Sequence, residues 1–294
     1  MTLTIENPRN MRELAVFVAE ANKQPCHHVG FCGEKTEEII DGLQKDFSDL
    51  EWRQSFRVAY QSDQIVGALG FDVDLADQSA EVWGPFVLEE DLELADMLWD
   101  VLYKSVEDQV NHFHFFYQVQ NETLKRFIAK LGGIEKGRHI VLSAEIGEQL
   151  TVLPSGIEAY EPSCWTSFQA LHNELFPQTY YDAQTICNRL NEYNQLLLLR
   201  AADERIKGYV YVEADPQNGG GSIEYIAVSS AFRKQGIGTQ LLQAALARLF
   251  AFEKTNEIKL CVSTSNEVAI NLYKAAGFYP KQDFIHSEIK TERR

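Results

Sequence analysis

No stretch of this 294-residue chain approaches the run of about 18 apolar residues that a membrane-spanning helix needs. The opening segment, MTLTIENPRN, lacks the basic flank and apolar core of a signal peptide. Positive charge is scarce: 27 Lys and Arg stand against 43 Asp and Glu, for a net charge of −16. Neutralising phosphates takes a basic surface, so neither nucleic acid nor a membrane is an expected partner. The five cysteines (26, 32, 164, 187 and 261) are an odd number without C-x-x-C spacing. They read as reduced thiols in a cytoplasmic protein and not as a disulfide framework.

What is present is ordinary globular composition, 45% hydrophobic and 24% charged, at a length that suits two domains. The charge is uneven. Residues 1–150 hold 13 basic and 27 acidic side chains, net −14, whereas residues 151–294 hold 14 and 16, net −2. A polyanionic small molecule is therefore expected in the second half.

Strands and helices alternate through that half. The pattern predicts strands at 156–161, 195–201, 206–213, 222–228, 258–262 and 278–287, with helices at 163–175, 182–192, 236–252 and 267–276. The first half shows the same order more weakly: helices at 9–22, 34–46, 91–107 and 121–131, and strands at 55–60, 64–73, 79–86, 111–118 and 134–143. Short matches link the halves. Asp63–Gly67 aligns with Glu204–Gly208 at an offset of 141, Ser79-Ala80-Glu81 with Ser222-Ile223-Glu224 at 143, and Asn121 and Gly132 with Asn266 and Gly277 at 145. The growing offset fits the longer glycine-rich loop at 215–221 and points to an internal duplication with its boundary near 147–155.

Tyr225-Ile226-Ala227-Val228 runs through a short turn into Arg233-Lys234-Gln235-Gly236-Ile237-Gly238-Thr239. Two cations and two glycines precede a helix whose first N–H groups have no intrahelical partner, which is an anion-binding arrangement. The turn fits neither G-x-x-x-x-G-K-[ST] nor G-x-G-x-x-G.

The run R-K-Q-G-I-G resembles the [RQ]-x-x-G-x-[GA] acyl-CoA signature of the GNAT superfamily of N-acetyltransferases. The YIAV strand is similar to that family's splayed strand. Asn266 to Phe278 resembles its N-x-x-A-x-x-x-Y-x-x-x-G-F helix. The motifs cover 222–278, and the order of elements extends the resemblance to about 156–290.

The resemblance implies an α/β fold of two tandem GNAT-like domains, each a mixed, partly antiparallel sheet flanked by helices. Residues 151–294 would form the acetyl-CoA-binding domain and residues 1–150 a degenerate one, similar to the arrangement in mycothiol synthases. It further implies that Gly236 and Gly238 bring backbone amides to a pyrophosphate, with Arg233 adding charge. Lys234, Gln235, Ile237 and Thr239 complete that turn, and Ile226, Ala227 and Val228 line the pantetheine arm, which Asn266 would hydrogen-bond. Tyr273 matches the tyrosine that protonates the departing thiolate. The implied activity is transfer from acetyl-CoA to an amine of a small molecule or peptide. A non-catalytic acyl-CoA sensor and an aminoacyl or long-chain acyl transferase stay open, as does the oligomeric state.

Acyl transfer to an ammonium group needs a proton acceptor. The family's best-known glutamate falls at Ser222 here. Glu224, two residues before Ile226 and on the same face by strand alternation, is the candidate base, with a structural role as its alternative. In the first half the equivalent turn is Val87-Leu88-Glu89-Glu90-Asp91-Leu92-Glu93, whose four carboxylates would repel pyrophosphate, and Ile128 replaces Tyr273. Phe176 to Tyr181 forms a loop that borders the acceptor site in GNAT folds, where Tyr180 and Tyr181 either pack on substrate or are surface aromatics. Cys26-His27-His28 and Cys32 match no strong metal motif, and His112 and His114 alternate with Phe113 and Phe115 as the polar face of a strand. No metal is expected.

Overall fold

The computed structural model describes residues 3–45, 47–87, 91–146, 153–177, 179–215 and 219–291. They divide into two compact units. The first is Met1–His139 together with Asp283–Arg294, and the second is Ile140–Gln282. These units are not contiguous in sequence, unlike the division 1–150 and 151–294 read from the repeat. No helix among the described residues is long and apolar enough to cross a membrane.

The first unit contains β1 (Leu3–Glu6), α1 (Met11–Asn22), α2 (Thr36–Lys45), β2 (Phe56–Gln61), β3 (Gln64–Asp74), β4 (Ser79–Val87), α3 (Leu92–Tyr103), β5 (His112–Gln118), α4 (Glu122–Lys130) and the start of β6 (Ile134–Glu145). The second holds the rest of β6, then β7 (Ile157–Ala159), α5 (Trp165–Leu175), α6 (Ala183–Arg189), β8 (Asn194–Arg200), β9 (Ile206–Asp215), β10 (Gly220–Val228), α7 (Ile237–Leu249), β11 (Glu257–Ser263), α8 (Glu267–Ala275) and the first residues of β12 (Tyr279–Lys290). The sequence pattern does not predict β1, an edge strand with a single half-buried side chain and no alternation to read.

Within each unit the strands run in the same order: β1-β2-β3-β4-β5 in the first and β7-β8-β9-β10-β11 in the second. The first four are antiparallel and the fifth joins in parallel, as β5 on β4 and β11 on β10. The sixth place is exchanged. Residues from Asp283 onward in β12 pair with β5 in the first unit, and the part of β6 from Ile140 onward lies beside β11 in the second.

The repeated residues have structural reasons. Asn121 and Asn266 cap α4 and α8, accepting hydrogen bonds from Leu124 N at 3.0 Å and Ala269 N at 3.1 Å. Gly132 and Gly277 follow those helices at φ of 76° and 100°, the left-handed conformation that ends a helix without a Cβ penalty.

The second unit buries both faces of its sheet. Leu197, Leu199, Val210 and Val212 pack with Leu241, Leu242 and Leu246 of α7. Leu196, Leu198, Tyr209, Tyr211, Tyr225 and Ala227 pack with Phe168 of α5 and Ile186 of α6. The unbroken run of leucines at 196–199 is a strand covered on both sides. Leu142 and Ala144 of β6 are fully buried in the α7 core.

A fragment of residues 151–294 lacks that strand. We expect it to lose cooperative thermal unfolding by circular dichroism and to aggregate through the bared edge of β11. A sharp melt at the full-length temperature would show that β6 is dispensable.

In the first unit, Asp72 on β3 lies directly opposite Glu81 on β4. Burial, reinforced by the negative charges of Glu81, Asp49 and Asp74, pushes its carboxyl from 3.8 up to about 7. Between those values the folded chain holds a proton that the unfolded chain has lost, so stability falls as pH rises through this window. Asp72→Asn removes the penalty. Its melting temperature should exceed the wild-type value by a gap that widens from pH 5 to pH 8, reaching roughly a few degrees. A gap independent of pH would mean that Asp72 ionises normally.

Candidate active site

Strand β10 is the spine of the site. On one side it pairs with β9 along its whole length, with a register shift between Ile223 and Tyr225. On the other side its ladder with β11 is the single pair Ser222↔Lys259. From Tyr225 to Val228 the backbone therefore faces an opening between diverging strands. Tyr225 and Ala227 point into the α5–α6 core. Ile226 and Val228 are half-buried on the α7 side.

Beyond Val228 a 3-10 turn, Ser230–Phe232, leads to the start of α7. Lys234 and Gly236 take positive φ values of 61° and 77°. Gly236 is the N-cap residue and supplies no side chain. Its carbonyl accepts the first helical bond, from Gln240 N at 3.1 Å. The N–H groups of Ile237, Gly238 and Thr239 are thus left without an intrahelical or capping partner. A Cβ on Gly236 would meet nothing within 4 Å, so the space before the helix is open. A Cβ on Gly238 would come within 3.0 Å of Leu272, so this glycine lets α7 and α8 approach closely. Arg233, Lys234 and Gln235 are exposed, and Arg233 Nε donates to Val228 O at 3.2 Å. An uncapped helix start beside cations, continuing into a strand edge that β11 does not pair, fits a ligand that carries phosphates at one end and amides along its length.

Tyr273 lies on α8, half-buried against the α7 core with its ring 5.8 Å from Phe278. Burial raises its phenol above the ordinary value, which keeps the proton on. Asn266 is exposed, and its Oδ1 is taken up in capping α8.

The register shift on β10 leaves Glu224 unpaired as a bulge residue. The bulge interrupts the alternation that puts Glu224 and Ile226 on one face, and Ile223 packs with Ile226 and Val228 instead. Glu224 accepts hydrogen bonds from Ser222 Oγ on one carboxylate oxygen and from Tyr180 OH on the other.

The loop that carries Tyr180 is held by groups that the sequence pattern did not single out. His172 is 1% exposed; its Nε2 donates to Tyr181 O at 2.9 Å and its Nδ1 bonds Tyr209 OH. Since a carbonyl only accepts, Nδ1 is the acceptor of a neutral ring, and burial lowers the His172 value accordingly. Tyr225 OH accepts from Tyr181 N at 3.2 Å and bonds Thr179 Oγ1. Arg189 forks onto Glu213 at 3.0 Å through both nitrogens and lies over the Tyr181 ring at 4.4 Å. Gln178 lies outside the described residues. No local spacing signals this group, because its members come from α5, α6, β9 and β10.

The first unit treats the equivalent helix differently. Asp91 caps α3, accepting from Glu93 N and Leu94 N at 3.0 Å. Two of the three positions whose N–H groups are left free on α7 are bonded to a carboxylate here. Leu88, Glu89 and Glu90 lie outside the described residues. Ile128, the counterpart of Tyr273, is a core residue at 3% exposure.

The model of the acetyltransferase (GNAT) family matches residues 161–278. An N-alpha-acetyltransferase of Sulfurisphaera tokodaii is 32% identical over 116 residues, which is 36% of this chain and 70% of that protein. A mycothiol acetyltransferase of Corynebacterium diphtheriae is 25% identical over 177 residues, 52% of this chain and 58% of that one. A solved tandem GNAT protein from the clavulanic acid biosynthesis pathway superposes with a TM-score of 0.69 at 12% identity, covering 100% of both chains. That likeness establishes the fold, two tandem GNAT-like domains. On the strength of the archaeal relative, matched over most of its length, this chain belongs to the GNAT family and is an N-acetyltransferase.

Proposed function

We propose that this enzyme transfers the acetyl group of acetyl-CoA to an amine of a small molecule or peptide, at one site in the second unit. The observation that carries the reading is the uncapped start of α7 beside the opening between β10 and β11. The names of the relatives support an amine acceptor: an N-alpha-acetyltransferase at 32% identity and a mycothiol acetyltransferase at 25%.

Bound acetyl-CoA would supply an acetyl thioester. The chain's part is to bind, orient and move protons. The N–H groups of Ile237, Gly238 and Thr239, with the α7 dipole, hold the pyrophosphate, and Arg233 and Lys234 add positive charge. Ile226 and Val228 offer strand-like hydrogen bonds to the pantetheine amides, with Ala227 between them in the same segment. Asn266 keeps its amide N–H group as a donor while its oxygen caps α8. Gln235 completes the turn.

Tyr273 holds a proton on its phenol oxygen for the departing sulfur, and burial keeps that proton on until the thiolate forms. Glu224 takes the proton from the attacking amine. Each of its oxygens already accepts one hydrogen bond and retains a second lone pair. The bond from Tyr180 ties the acceptor loop to the base.

Two measurements check this. By calorimetry with coenzyme A, the chain should bind one molecule, Gly236→Val should lose at least about tenfold in affinity through strain at positive φ, and Arg233→Ala should lose several-fold. Two molecules per chain, or unchanged affinity in both variants, would remove the site from the α7 turn.

For catalysis, Tyr273→Phe and Glu224→Gln should each lower kcat by about 10²–10⁴-fold while coenzyme A affinity holds, since only a proton carrier is lost. Thiol release over a panel of amines and N-terminal peptides reads this out and identifies the acceptor. Full activity in Tyr273→Phe would mean that the sulfur leaves without an acid from the protein.

A further inference from the structure

We propose that the first unit holds a divalent transition-metal ion of the zinc type on His112, His114 and Glu288. The reasoning begins with strand geometry. His112 and His114 are two residues apart on β5, so both imidazoles leave the sheet on one face, while Phe113 and Phe115, which alternate with them, are fully buried on the other. β12 runs antiparallel beside β5, with Glu288 opposite His114 and Lys290 opposite His112. Glu288 is therefore the direct neighbour of one histidine and the diagonal neighbour of the other, and both positions lie within side-chain reach.

The ligand atoms of these three residues lie within 4.8 Å of one another. His112 Nδ1 is 3.5 Å from Glu288 Oε1, close to the edge of about 3.3 Å that a tetrahedron with metal–nitrogen bonds of roughly 2.0–2.1 Å requires. His286 stands next on the same face of β12, its Nε2 3.4 Å from His114 Nδ1. Two or three imidazoles with one carboxylate suit zinc, cobalt or nickel and do not suit calcium or magnesium.

The surroundings are unusual for a plain polar face. Glu288 is 8% exposed, and Nζ of Lys136 and Lys290 lie 3.2 Å and 3.3 Å from its carboxylate. His139 sits 6.5 Å from the His286 ring with a buried Nδ1 that has no hydrogen-bond partner. Three histidines thus stand beside one buried carboxylate, with a fourth behind His286. The two lysines hold that carboxylate in place, and Lys290, which sits on the same oxygen Oε1 that faces His112, gives way when a cation binds. The metal would then pin the last strand of the chain to β5.

The experiment uses the full chain, stripped with a chelator and titrated with zinc ion alone by calorimetry, and with cobalt ion followed by its visible absorption. One ion per chain is expected, with a cobalt spectrum of tetrahedral type and a zinc-dependent rise in melting temperature. His112→Ala, at a half-buried position, and Glu288→Gln should each weaken zinc at least tenfold. Cys26→Ser, in the other cluster of soft ligands, should change nothing. Lys290→Met should tighten binding by removing the competing charge. The proposal is overturned if the wild-type chain binds no zinc, if binding survives in both ligand variants, or if it is lost in Cys26→Ser. Unchanged or weaker binding in Lys290→Met would exclude Glu288 as a ligand and overturn it as well.

Discussion

The parting of β10 from β11 after one ladder pair is the constraint on which the second unit depends. A strand inside a sheet normally spends its backbone groups on both neighbours, and a buried group left unpaired costs about 1–3 kcal/mol. Here the pairing with β9 continues while the pairing with β11 stops, so an edge is created in the middle of a sheet. That edge is tolerable because Ile226 and Val228 are only half-buried there and water reaches the opening. The same divergence leads the chain through a tight turn with two positive-φ residues into a helix that nothing caps. Strand edge and helix start thus adjoin at one departure from regular pairing, and both present backbone groups there.

The bulge at Glu224 serves the other side of that strand. An extra residue between Ile223 and Tyr225 moves Ile223 onto the α7 face and leaves the carboxylate in the hands of Ser222 and Tyr180. Tyr180 itself is 66% exposed, yet the loop that carries it is anchored by the buried pair His172 and Tyr209. An exposed phenol is thereby aimed by a rigid base.

The two units show what a duplicated scaffold keeps and what it changes. Both keep an asparagine cap and a left-handed glycine around the helix that follows the parallel strand, because these end and start the helix whatever its use. They differ at the preceding helix. Asp91 fills the N-terminus of α3 with its own carboxylate, whereas Gly236 leaves that of α7 open. One side chain separates a structural helix start from one that can receive an anion.

Sequence alone determined the order of the strands and helices after β1, the repeat, and the glycine turn that opens α7. Each of these is written in local spacing or in a backbone conformation that glycine makes cheap, and local chemistry dictates it wherever the segment finds itself. Three features were decided only by tertiary structure. The exchange of β6 and β12 between units has no local signature, since which strand fills the sixth place depends on closure of each sheet and not on the strand's own residues. The position of Glu224 was misjudged by simple alternation because a bulge is visible only against a partner strand. The histidine cluster joins His114 to His286, 172 positions along the chain, and it exists only because antiparallel pairing sets Glu288 opposite His114.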